Sequence, residues 1–181
     1  MVGCFTLLLL VMLSLKVSAN EKNIVIVHSY HTDHADWVPL QEKGFKGKVG
    51  KAYTYHTFYM DTKNIPKQQY AGKAIQALTL IDQKRPDLVY VTDDNATRLV
   101  GRFVSRDIPV VFSGVNANIR VDYPWLLNDH RNITGVLERP LIKRGLVSLS
   151  EIVGVDLSKV LIIMGKSTSA TAIFQNDLKG E

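Results

Sequence analysis

The chain is poor in cysteine: its 181 residues contain one, Cys4. That excludes a disulfide framework and a cysteine-based zinc cluster. With 12 glycines and 6 prolines, collagen-like and low-complexity classes are excluded as well. No three basic residues stand together, and the formal charge is a mild +5. Charge alone therefore argues no nucleic-acid footprint. There is no G-x-S-x-G, no G-x-G-x-x-G, no Walker pattern and no C-x-x-C. The signatures of a nucleophile elbow, a dinucleotide fold, a phosphate loop and a dithiol are thus missing. Gly44-Phe45-Lys46-Gly47 is too short for a phosphate loop and falls inside a helical stretch. What is present is an ordinary globular composition, 46% hydrophobic, 22% charged and 8% aromatic. The length suits one domain, or one domain with part of a second.

Phe5 to Leu15 is apolar apart from Thr6 and Ser14. A run this short matches a signal peptide and falls short of the ~30 Å of hydrocarbon that a membrane span must cross. Val17-Ser18-Ala19 supplies a small-x-small cleavage pattern. Residues 1–19 are therefore expected to be a signal peptide that directs the protein to the periplasm. One feature departs from the usual pattern, because no Lys or Arg precedes the apolar run. Cys4 lies too early to be a lipoprotein acceptor and leaves with the signal, as does Lys16, which lowers the charge of +5 to +4.

The remainder alternates strand and helix. Asn23–Tyr30 is β-branched and apolar throughout, as in a strand buried on both faces. Asp36–Val49 has helical spacing through Trp37, Leu40, Phe45 and Val49, and Ala52–Met60 is an aromatic, Thr-rich strand. A helix capped at Asn64, with Pro66 in its first turn, carries the stripe Tyr70, Ala74, Ala77, Leu78 and Ile81 up to Pro86. Asp87–Thr92 is a third strand, and Asp94 or Asn95 caps the next helix. Ile108–Phe112 and Asn132–Leu137 are further strands, Leu141–Val153 a helix and Lys159–Met164 a sixth strand. The pattern predicts an α/β fold with an open, doubly wound, mostly parallel sheet. Ala117–Arg131 interrupts the rhythm; its Tyr123-Pro124-Trp125 either exposes aromatic surface or packs within the loop. The sheet is expected in the strand order 2-1-3-4-5, with residues 20–131 as the N-terminal lobe. Residues 132–181 are expected to form a crossover and the truncated start of a second lobe, so that the chain is a fragment of a two-lobed protein.

In such a sheet, ligands bind beyond the carboxyl ends of the strands, where strand order reverses. Those ends carry Ser29-Tyr30-His31, Met60-Asp61-Thr62, Thr92-Asp93-Asp94-Asn95 and Ser113-Gly114-Val115-Asn116. Four polar ends on one edge predict a pocket for a small polar ligand, although each residue alone also suits a turn or a cap. His28, His31 and His34 invite a metal, but a strand followed by a loop does not aim all three at one point, so no metal is expected. Asp93-Asp94 invites acid/base chemistry, but neighbours on a strand end point apart. No catalytic residue, cofactor or nucleic-acid partner is expected. Asn95-Ala96-Thr97 and Asn132-Ile133-Thr134 match the glycosylation sequon, which is a weak signal.

The stretches 24–38 (IVIVHSYHTDHADWV), 58–64 (FYMDTKN), 87–100 (DLVYVTDDNATRLV), 108–116 (IPVVFSGVN) and 132–140 (NITGVLERP) resemble the ABC-transporter substrate-binding-protein family. This periplasmic-binding-protein type also serves as the input domain of bacterial membrane receptors. The resemblance spans residues 23–165 and implies two lobes closing on a small molecule without catalysis. By position it implies that Ser29, Tyr30, Asp94, Asn95, Ser113, Gly114, Asn116, Thr134 and Glu138 line the cleft, with Trp37 as an aromatic wall. The implied partners are the membrane subunits of an importer or, in a sensor, a transmembrane segment of the same protein. The expected state is monomeric.

Overall fold

In the computed structural model, residues 22–33, 36–128, 132–154 and 156–179 are described. The expected signal peptide, His34 and the last residues of the 117–131 loop lie outside them. Five parallel strands form one open sheet in the order β2-β1-β3-β4-β5. They are β1 (Asn23–His28), β2 (Thr54–Tyr59), β3 (Leu88–Thr92), β4 (Val110–Val115) and β5 (Ile133–Leu137).

Alternation along β1 explains why the sheet is covered on both sides. Val25 and Val27 enter one core with Ala74, Ala77 and Ile81 of α2 (Tyr70–Lys84). Ile24 and Ile26 enter another with Phe45 and Val49 of α1 (Trp37–Val49). Successive strand side chains point to opposite faces, so an unbroken apolar run needs a helix on each. Burying a Val or Ile side chain fully is worth about 1.5–3 kcal/mol, which makes β1 the anchor of both layers. On the α1 side, Phe45 stacks on Tyr90 with centroids 4.1 Å apart.

Several local expectations are corrected. The helix with the Tyr70 stripe begins at Tyr70 after a 3₁₀ turn over Lys67–Gln69, and Asn64 instead bonds Asp61 and Asp33. The helix after β3, α3 (Asp93–Leu99), starts at Asp93 with Thr92 as its N-cap, so neither Asp94 nor Asn95 caps it. The 117–131 loop contains a short helix, α4 (Trp125–Asn128), and Tyr123 is buried within the protein rather than offered to a partner. β5 is the outer strand of the same sheet, as the expected order 2-1-3-4-5 requires, and not a crossover leading away from it.

Residues 159–164 form no strand. Regular structure there is limited to a 3₁₀ turn over Leu157–Lys159, and Leu161 and Ile163 are 82% and 87% exposed. Among the described residues the apolar run has no neighbouring strand to complete its hydrogen bonds, and a strand exists only in a ladder. The preceding helix, α5 (Ile142–Val153), buries no residue. The chain then returns to the sheet through α6 (Thr168–Ile173) and a π turn over Phe174–Leu178. Among the described residues no helix is long and apolar enough to cross a membrane.

Candidate functional site

Strand order reverses between β1 and β3, because the chain moves outward to β2 on one side and to β4 on the other. Side by side at that point are Ser29-Tyr30 after β1 and Asp93-Asp94 at the start of α3. Met60 and Thr62, beyond β2, are tied there by backbone bonds to His28 O and Ser29 O, each 2.9 Å. β4 adds Ser113 and Gly114, followed by Asn116, and β5 delivers Glu138.

The sequence-predicted residues fall into three groups. Ser29 and Asp94 are internal ties. The Ser29 hydroxyl donates to Thr92 O at 2.6 Å and accepts from Ala96 N at 2.8 Å. Asp94 accepts from Ala117 N at 3.0 Å, Asn116 N at 3.3 Å and the Tyr123 hydroxyl at 3.2 Å. A carboxylate holding two buried N–H groups secures the turn after β4. Burial still pushes its carboxyl above the usual range, against these bonds.

The second group meets on the rim. Tyr30 shares a 2.6 Å bond with Ser169, and burial together with the charge of Asp93 raises its hydroxyl far above the ordinary phenol value. Asn95 donates to Thr62 at 2.9 Å. Ser113 bonds Tyr90 at 2.6 Å. Asn116 donates to Glu138 at 2.8 Å. Trp37, 41% exposed, donates its indole N–H to Asp93 at 3.0 Å and stands beside the rim. The third group is Thr134, which is exposed in mid-strand opposite Val111, away from the strand ends.

Asp93, weighed in the sequence only as half of an acid/base pair and set aside, is singled out by the backbone. Its φ is 63°, a left-handed conformation uncommon in residues other than glycine. Desolvation raises its carboxyl from 3.8 to about 7, despite the Trp37 hydrogen bond that lowers it. Gly114 opposite it has φ 73°, and a Cβ there would come within 2.9 Å of Asp93 Oδ1 and 2.8 Å of Gln41 Nε2. Glycine is therefore required both by conformation and by the closeness of these two side chains.

Over the rim lies α6. Ser169 reaches Tyr30 and Asp94, Thr168 reaches Asn95 at 3.3 Å, and Asn176 donates to Asn116 O at 3.2 Å. These contacts are hydroxyl and amide bonds. The run Ser167-Thr168-Ser169, following an apolar stretch as the other polar tips do, was the available signal for them. Cavities flank α6. One of about 320 Å³ is lined by Asn116, Arg120, Glu138 and Asp177, and one of about 230 Å³ by Tyr30, Lys63, Asn95 and Lys166.

The histidines take other roles. His28 is buried between Thr92 Oγ1 at 2.9 Å and Glu42 Oε2 at 3.2 Å. His31 lies 3.5 Å from Asp33. Among the described residues no three His, Cys, Asp or Glu side chains are grouped to hold a metal ion. Compared with known proteins, the chain matches no family model, no curated protein and no solved structure.

Proposed function

We propose that this chain is the ligand-binding part of a periplasmic solute-binding protein of an ABC-type importer. It takes up a small polar molecule at the carboxyl ends of its strands and performs no chemistry on it. The observation that carries the reading is the rim itself: Tyr30, Asp93, Ser113, Asn116 and Glu138 converge where the strand order reverses. The sheet places side chains of four strands there without further adjustment, which is the geometry that makes such switch points binding crevices.

The segment over the rim supplies the second wall. Because α6 is held mainly by exchangeable hydroxyl and amide bonds, a ligand can replace them one for one while α6 closes on it. Thermal shift of the chain against a panel of amino acids, amines, sugars, nucleosides and organic acids tests the proposal. Stabilisation by at least one compound, lost in Asn116→Ala, is expected. Failure of every compound to raise the melting temperature refutes it.

A further inference from the structure

The rim has used its donors and kept its acceptors. Trp37 Nε1 is committed to Asp93, Asn116 Nδ2 to Glu138, Asn95 Nδ2 to Thr62, and the Tyr30 and Tyr90 hydroxyls to Ser169 and Ser113. Among the described residues, four buried side-chain polar atoms have no partner. Three belong to this rim, and all three are oxygens that accept: Gln41 Oε1, Asp93 Oδ2 and Asn116 Oδ1. The fourth, Thr97 Oγ1, is one turn further along α3. The orientation of Asn116 is fixed, because its nitrogen faces two acceptors, Glu138 Oε2 at 2.8 Å and Gly114 O at 3.3 Å. Asp93 and Asn116 are 2% and 5% exposed. A buried acceptor left without a donor loses its hydration with nothing in return, and the loss is greater when it is charged.

Negative charge gathers at the same place. Asp94, Asn116 and Glu138 form one hydrogen-bonded chain, and Asp93 meets it at Gly114. Among the described residues neither Asp93, Asp94 nor Glu138 has a salt-bridge partner, unlike Glu42, which pairs with His28 and Lys46. Of the cations nearby, Lys63 is directed to the ring of Tyr30 at 4.0 Å, while Arg120, Arg139 and Lys166 line the flanking cavities and no ion pair joins them to these carboxylates. We propose that the ligand of this rim carries a cationic amine, bound by the carboxylates of Asp93 and Glu138 and by the side-chain carbonyls of Gln41 and Asn116. An ammonium group has three donors and no acceptor, which is the complement of this set. Trp37, half exposed beside Asp93, borders the ligand's apolar part. This inference rests on the binding reading above.

The test compares 2-phenylethylamine with 2-phenylethanol and phenylacetate, which differ chiefly in the charge and donors of one end, and adds putrescine. Titration calorimetry at pH 7.5 is expected to show the amine binding at least tenfold more tightly than the alcohol, with phenylacetate not binding. Asp93→Asn is expected to weaken the amine at least tenfold and to leave the alcohol unchanged. If Asp93→Asn loses its near-ultraviolet circular dichroism, Glu138→Gln, at the less buried end of the cluster, replaces it with the same expected loss. Undiminished amine binding in the folded variant overturns the assignment. Binding of the alcohol, the carboxylate or a sugar in preference to the amine overturns the amine and leaves the binding reading standing. Silence of all four compounds overturns the amine, and the binding reading falls with it when the thermal-shift panel is silent as well.

Discussion

The backbone N–H of Ala96 reaches the hydroxyl of Ser29 at 2.8 Å, joining the end of β1 to the first turn of α3. The same hydroxyl donates to Thr92 O, so both of its capacities serve the junction of β1, β3 and α3. Ser29→Ala leaves a buried N–H and a carbonyl without partners. It is expected to lower stability by about 1–3 kcal/mol, seen in urea as a lower midpoint with an unchanged slope. A change within experimental error would show that the tie carries no weight.

Asp94 extends that logic to the far side of α3. Removing its carboxylate orphans the N–H groups of Asn116 and Ala117 and leaves the Tyr123 hydroxyl only its 3.3 Å bond to Asp94 O. Asp94→Ala is expected to cost about 2–4 kcal/mol. The loss should appear as faster amide exchange in residues 116–123, because the turn after β4 loses its anchor. Exchange confined to α3 itself would place the role of Asp94 elsewhere.

The sheet was readable in the sequence because β1 to β5 each combine β-branched residues with a helix-length connection, and the core stripe of α2 falls at helical spacing. The sixth strand was misread for a related reason. Lys159–Met164 has a strand's composition, but composition does not supply the neighbour that a strand must pair with. The rim was legible as a set of strand ends, yet the roles within it were not. Ser29 and Asp94 look like ligand contacts in sequence and turn out to be anchored to backbone groups. Asp93 stood next to Asp94 with nothing to distinguish it, since a left-handed φ is a tertiary outcome.

The glycines offer a matched pair of opposite sign. A Cβ on Gly135 would lie 2.2 Å from the carbonyl oxygen of Phe112 and 2.5 Å from its ring. Gly135→Ala must push β5 from β4 and is expected to cost about 1–3 kcal/mol. Gly44 and Gly47, inside α1, have nothing within 4 Å of an added Cβ. Alanine at either is expected to stabilise by about 0.5–1 kcal/mol, through helix propensity and a less free unfolded chain. Urea midpoints of the three variants should bracket the parent protein, and the same order for all three would refute the packing argument.

The exposed run from Val160 to Ile163 is an apolar segment without a partner strand. Segments of this type template association between chains. The double variant Leu161→Lys, Ile163→Lys is expected to reduce binding of a hydrophobic dye and concentration-dependent light scattering, with no loss of melting temperature. Unchanged scattering would place the association surface elsewhere.

The response to pH follows from two carboxyl groups pushed in opposite directions. Burial raises Asp93 from 3.8 to about 7, so between those values the folded protein holds a proton that the unfolded chain has released. Stability is then greatest below about pH 4 on this account and falls as pH rises to 7, by a few kcal/mol for a shift of this size. Glu42 behaves oppositely. The hydrogen bond from His28 is the first of the contacts that lower it from 4.5 to about 2, ahead of the opposing effect of burial and the further help of Lys46 and Thr57. Its contribution is present above pH 4.5 and is lost as pH falls toward 2. Together they predict a melting temperature that peaks near pH 4–5 and declines toward pH 8. Asp93→Asn should flatten the neutral side, and Glu42→Gln should flatten the acid side. A parent protein whose melting temperature rises between pH 5 and 8 would mean that burial does not hold a proton on Asp93 in the folded state.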